Sequence, residues 1–107
     1  AASVPALQGS PVTFAVDVNV LVIRAGLYGF ITPNGAREVI VPVGVTVEWV
    51  IGWDKHTVTS RSAPPGGPSF DSGSLDVGER FQFVPAVAGT WDYFCRVHEE
   101  TGTIIAR

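Results

Sequence analysis

The sequence predicts an all-β fold, a two-sheet antiparallel sandwich, and three observations carry that prediction. Short β-branched and aromatic runs recur between turn residues, the chain holding 12 Gly and 8 Pro. From Val12 to Val22 the even positions Val12, Phe14, Val16, Val18, Val20 and Val22 are apolar, while Thr13, Asp17 and Asn19 between them are polar. That is the period-two signature of a half-buried strand, whereas a helix would spread the same side chains all round its circumference. Finally, no window sustains apolar residues at i, i+3, i+4 and i+7, so helix is limited to a turn or two.

After the Val12–Val22 strand, the same pattern predicts strands at Glu38–Val41, Val45–Ile51, His56–Ser60, Arg80–Val84, Thr90–Cys95 and Thr103–Arg107. The connections read as turns: Thr32-Pro33-Asn34-Gly35, Pro42-Val43-Gly44, Asp76-Val77-Gly78-Glu79 and Pro85-Ala86-Val87-Ala88-Gly89. Arg61–Ser69, the one low-complexity stretch, is too short to link domains and reads as a surface loop. On face alternation Trp49 joins Val47 and Ile51 in the core, and Trp91, Tyr93 and Cys95 share one face of their strand. About seven strands with frequent turns, and no internal repeat, predict a sandwich. A chain of 107 residues is then a single domain spanning 1–107, since half of it could not close a core of its own.

Composition removes several function classes. Hydrophobic residues make up 46% and charged residues 16%, which suits a packed core and argues against disorder. Seven basic against ten acidic side chains give a formal charge of −3, and no basic patch for nucleic acid is visible. No apolar run reaches the ~18 residues of a membrane span. A single Cys excludes an internal disulfide and a four-thiolate zinc site. The start Ala1-Ala2-Ser3, with no Met, reads as an end left by processing or trimming, any signal peptide or membrane anchor having been removed.

The side chains able to carry soft-metal chemistry are His56, Cys95 and His98. Cys95-Arg96-Val97-His98 places a thiol and an imidazole three residues apart, and both reach one ion if the chain turns sharply after Cys95. His56, at the start of an upstream strand, reaches the same point from a neighbouring strand. Two imidazoles and a thiolate form the ligand set of electron-transfer copper. Zinc accepts the same set with a fourth water. Taken singly, Cys95 also reads as a small buried hydrophobe, and His56, beside Asp54 and Lys55, as a solvent-facing histidine.

A series of ordered pieces narrows the choice: Val41-Pro42-Val43-Gly44-Val45-Thr46-Val47-Glu48-Trp49, His56-Thr57-Val58-Thr59-Ser60, Phe70-Asp71-Ser72-Gly73-Ser74-Leu75, Gly78-Glu79-Arg80-Phe81-Gln82-Phe83, Ala88-Gly89-Thr90-Trp91-Asp92-Tyr93-Phe94-Cys95, then His98 and Gly102-Thr103-Ile104. Over about Val39 to Arg107 the chain resembles the cupredoxins, blue-copper proteins of the plastocyanin and pseudoazurin kind. The resemblance implies a Greek-key β-sandwich and one copper ion held by His56, Cys95 and His98. It implies electron exchange with a redox partner protein, on the periplasmic or extracellular side of the membrane.

Two positions depart from the family pattern. The family places Met five residues after the second His, and here Thr103 stands there, in a chain with no Met. The resemblance therefore implies an open or water-occupied axial position, with Thr103, a backbone carbonyl or a Glu as other occupants. An open position would admit a small molecule such as nitric oxide to the copper. Electron transfer is the expected core role, since one copper passes one electron and no residue pairing resembles a general base. Glu99 and Glu100 beside His98 read as solvated charges, the alternative being a carboxylate on the metal as in red copper sites. The second departure is Thr57, where many relatives carry an Asn that ties the two ligand loops together.

Overall fold

The computed structural model describes residues 20–27 and 29–107. These residues form eight strands and no helix: β1 (Val20–Gly26), β2 (Gly29–Ile31), β3 (Glu38–Val41), β4 (Thr46–Ile51), β5 (Thr59–Ser62), β6 (Arg80–Phe83), β7 (Gly89–Phe94) and β8 (Thr101–Ala106). They make two four-stranded sheets, ordered β2-β1-β4-β6 and β3-β8-β7-β5. The all-β sandwich stands. Of the first predicted strand, 12–19 lie outside the described residues, and Val20–Val22 begin β1.

The sheets are not antiparallel throughout. β1 runs parallel to β4, and β3 runs parallel to β8. The cause is the path of the chain. β1 pairs antiparallel with β2, and the chain then crosses to the second sheet for β3 before returning for β4. It therefore re-enters beside β1 in the same direction. Alternation of apolar residues specifies which face is buried and carries no information on the direction of the neighbour.

Two further boundaries differ from expectation. β2 is only three residues long, too short for a periodic signal. The strand expected at His56–Ser60 begins at Thr59, because His56 makes an isolated bridge to Leu75 instead, the two residues exchanging N–H···O bonds of 3.0 and 2.8 Å. Three predicted turns form as read: Gly35 N–H donates to Thr32 O, Val45 N–H to Pro42 O and Glu79 N–H to Asp76 O. Gly35, Gly44 and Gly78 take positive φ there, a conformation that a side chain disfavours.

Between the sheets lies an aromatic core. Trp49, Trp91 and Tyr93 are fully or almost fully buried. Tyr93 meets Trp49 and Phe30 edge-on, with ring centroids 5.2 and 4.8 Å apart. The Pro-rich stretch packs over Trp91, whose Nε1–H donates to Pro68 O at 2.9 Å, and Pro64 lies against Gly89. That is the start of β7, the end remote from Cys95.

Candidate metal centre

β4 and β7 both run toward one end of the sandwich, and the loops that follow them carry the candidate ligands. His56 sits where the backbone is clamped to Leu75 and is completely buried. Burial excludes the solvent-facing reading of this histidine. Cys95 continues the inward face of β7 after Trp91 and Tyr93 and is also completely buried. The sharp turn required after it is present. Glu99 N–H donates to Cys95 O at 2.7 Å, Cys95 N–H donates to Glu100 O at 2.9 Å, and Glu99 adopts φ 64°. This closed loop brings His98 back over the sulfur, Nδ1 lying 3.9 Å from Sγ. The His56 and His98 rings stand 4.8 Å apart.

The loop also returns a fourth donor. One ligand atom from each of His56, Cys95, His98 and Glu100 falls within 4.8 Å of the others. Glu100 Oε1 is 3.4 Å from His56 Nδ1 and 3.7 Å from His98 Nδ1. The solvated reading holds for Glu99, which is exposed, and fails for Glu100, whose side chain is only 18% exposed. A residue directly after His98 does point away, but the left-handed turn at Glu99 swings the next one inward. Nothing in the residue types announces that φ. Thr103, by contrast, is turned outward on β8 and donates its hydroxyl to Asp92 Oδ1 at 2.9 Å. It contributes nothing to the cluster.

Surrounding groups hold these donors in place. Thr57 N–H points at Cys95 Sγ, 3.4 Å away, a bond suited to sulfur carrying negative charge. Thr57 performs the loop-tying task assigned to Asn in relatives, since its Oγ1 accepts from Arg96 N–H at 2.9 Å. The Thr59 hydroxyl links Thr57 Oγ1 and Asp71 Oδ1, at 3.1 Å each, and Asp71 also pairs with the Arg96 guanidinium. Donation from Gly73 N–H, followed by the bond from Arg96, holds the Asp71 carboxyl below its usual range. His98 Nε2 lies 3.1 Å from Asp54 Oδ2. An ionised carboxylate only accepts, so Nε2 carries the ring proton and Nδ1 presents its lone pair to the cluster. The backbone N–H of Lys55, and then the His98 ring, keep Asp54 below the ordinary carboxylate range, consistent with that assignment.

The cluster fits a metal ion on two counts. Among the described residues, both ring nitrogens of His56 and Glu100 Oε1 are buried with no hydrogen-bond partner, although His56 Nδ1 and Oε1 lie only 3.4 Å apart. Buried polar groups are ordinarily satisfied, and these two converge without bonding each other. The donor set, two imidazoles and a thiol, is also the one that soft and borderline metals select.

No protein-family profile matches the chain, and no curated protein does. Solved structures do match. The chain is similar to amicyanin from Paracoccus versutus at TM-score 0.69 and 26% identity, covering 86% of this chain and 85% of that one. A purple cupredoxin from Nitrosopumilus maritimus matches at TM-score 0.61 and 27% identity, covering 82% of this chain and 98% of that one. A mutant of amicyanin with Cu(I) aligns at TM-score 0.70 and 21% identity over 83% of each chain.

Proposed function

From a chain that is a cupredoxin in its fold and in its His2Cys donor set, we propose a type 1 copper protein that transfers electrons. The observation that carries this reading is the convergence of His56, Cys95 and His98 on one point at the end of the sandwich. His98 offers Nδ1, the cysteine offers Sγ, and His56 faces them with an unpartnered ring. Copper bound there would cycle between Cu(I) and Cu(II), taking up and giving out one electron. The residues around it keep the donors fixed: Thr57 restrains Sγ, Asp54 orients the His98 ring, and the Leu75 bridge restrains His56.

His98 is the route for the electron. Its side chain is 25% exposed, whereas His56 and Cys95 are sealed from solvent. Trp53 and Val97 flank it as exposed apolar side chains, with the Trp53 ring 5.7 Å from the imidazole. That surface suits a redox partner protein, because brief electron-transfer encounters bury only small areas. The whole of 1–107 is then one copper-binding domain, working on the periplasmic or extracellular side, where cupredoxins meet copper.

A specific observation also favours a second reading. With Thr103 tied to Asp92, no side chain from the family's usual axial position caps the ion. Were Glu100 also to stay off the ion, an open or water-occupied axial site would let a small molecule such as nitric oxide bind copper directly. Protein-to-protein electron transfer requires no such opening.

Titration with Cu(II) tests the reading. We expect an intense thiolate-to-copper absorption that saturates at one equivalent. Absence of that band would remove copper from this protein and leave a sandwich with an unassigned donor cluster. The orientation of His98 adds a second expectation. Asp54→Ala should weaken copper binding by roughly 10- to 100-fold, as loss of a carboxylate behind a ligating histidine does elsewhere. Competition against a chelator measures this, and an unchanged affinity would show that Asp54 does not orient the ring.

A further inference from the structure

We propose that Glu100 is the fourth donor to the ion held by His56, Cys95 and His98, its Oε1 closing the face that Met leaves empty. The inference rests on the copper reading and takes it one ligand further.

Distances carry it first. Bonds of about 2.1 Å to nitrogen or oxygen and about 2.3 Å to sulfur give tetrahedral edges of about 3.4 Å between N and O donors, and about 3.6 Å when one is sulfur. Oε1 lies 3.4 and 3.7 Å from the two Nδ1 atoms, and His98 Nδ1 lies 3.9 Å from Sγ. Three of the six separations are thus close to the edges that an ion would impose, and all four ligand atoms lie within 4.8 Å of one another.

Unmet bonding carries it second. Oε1 is buried and accepts no hydrogen bond, and no Lys or Arg among the described residues pairs with Glu100. Arg37, the neighbouring cation, donates to Thr101 Oγ1 at 3.0 Å instead. A carboxylate oxygen out of water without a partner is costly unless a cation joins it. His56, its nearest neighbour, is fully buried with Nδ1 also unpartnered, so the two orphaned atoms share one need.

The position is built rather than incidental. Glu100 O accepts from Cys95 N–H, and the left-handed Glu99 aims the next side chain at the cluster. Gly29 lies behind it with φ 105°, where even a single Cβ would touch Glu100 Cγ at 3.5 Å. Outside, a cleft of about 310 Å³ is lined by Gly29, Phe30, Arg37, Glu100 and Thr101. The carboxylate stands between that cleft and the donors. As a ligand it would keep small anions off the ion.

Charge gives the direction of the redox effect. Cu(II) with one thiolate and one carboxylate is neutral, and reduction leaves a buried negative charge, so Glu100 favours the oxidised ion. The test compares the wild-type protein with Glu100→Gln, Glu100→Ala and, as a control, Glu99→Gln, each loaded with one equivalent of Cu(II). Azide is the probe. We expect the charge-transfer band to move and the reduction potential to rise in both Glu100 variants but not in Glu99→Gln. Azide should perturb the spectrum of Glu100→Ala and leave that of the wild type unchanged. If wild type and Glu100→Ala share one spectrum and one potential, and azide perturbs both, the axial site is open and Glu100 is not a ligand. A wild-type protein with no thiolate band at all would instead overturn the copper reading on which this rests.

Discussion

Cys95→Ala abolishes the thiolate-to-copper band completely, whereas the metal-free variant still folds. Sγ is the sole thiol in the chain, so no other side chain can supply the transition. The cost to the metal-free fold is modest. Deleting a small buried sulfur leaves Thr57 N–H without its acceptor, and an orphaned buried donor costs about 1–3 kcal/mol. Copper enlarges the contrast, because a ligand bound only to the folded state at 1,000 times its dissociation constant adds about 4 kcal/mol. Thermal melts with and without one equivalent of copper should therefore separate widely for the wild type and nearly coincide for Cys95→Ala. Equal copper-induced shifts in the two proteins would place the ion elsewhere.

The parts of the site legible in the sequence are those set by spacing along one strand or loop. Cys95 follows Trp91 and Tyr93 on an alternating face, so its burial is readable, and His98 lies within one turn of it. The pairing of His56-Thr57-Val58 with Ser72-Gly73-Ser74-Leu75 corresponds to two of the ordered pieces, since Ser72 N–H donates to Val58 O and Leu75 N–H to His56 O. A carboxylate on the metal was legible only as an alternative, and the choice of Glu100 over Glu99 was not legible. The inward aim of Glu100 depends on one left-handed residue, Glu99, and that φ is selected by the closed Cys95–Glu100 loop rather than by a residue type that favours it. Asp54 is a similar case: it too adopts positive φ, at 56°, and its partner lies in a distant loop. The parallel pairings escaped for a different reason, because direction is set by the crossovers between sheets. Thr103 shows the converse limit. Family spacing placed it at the metal, while its register opposite Asp92 on the outer face of β8 removes it.

That register makes Gly102 the position where one methyl group should do most damage. Gly102 stands opposite Tyr93 in the β7–β8 ladder, and a Cβ there would lie 2.3 Å from both the ring Cζ and the hydroxyl oxygen of Tyr93. No rotation of a flexible tip relieves this, because the ring is held edge-on by Trp49 and Phe30 and is almost completely buried. Burial pushes the pKa of this phenol up to about 12, against the opposing effect of the Trp49 indole beside it. Overpacking a core costs about 1–3 kcal/mol when neighbours can shift, and Gly102→Ala belongs at or above the top of that range. The damage should reach the metal, since Tyr93 precedes Cys95 by two residues and Gly102 follows Glu100 by two, so Gly102→Ala should also weaken copper binding. Tyr93→Ala opens the space that the methyl group needs, at about 3–5 kcal/mol on its own account. In that background Gly102→Ala should cost little more. The coupling between the two sites is then large, against the ~0.5 kcal/mol within which independent sites add. Chemical denaturation of the four proteins measures it, and simple additivity would show that the strand, rather than the ring, absorbs the methyl group.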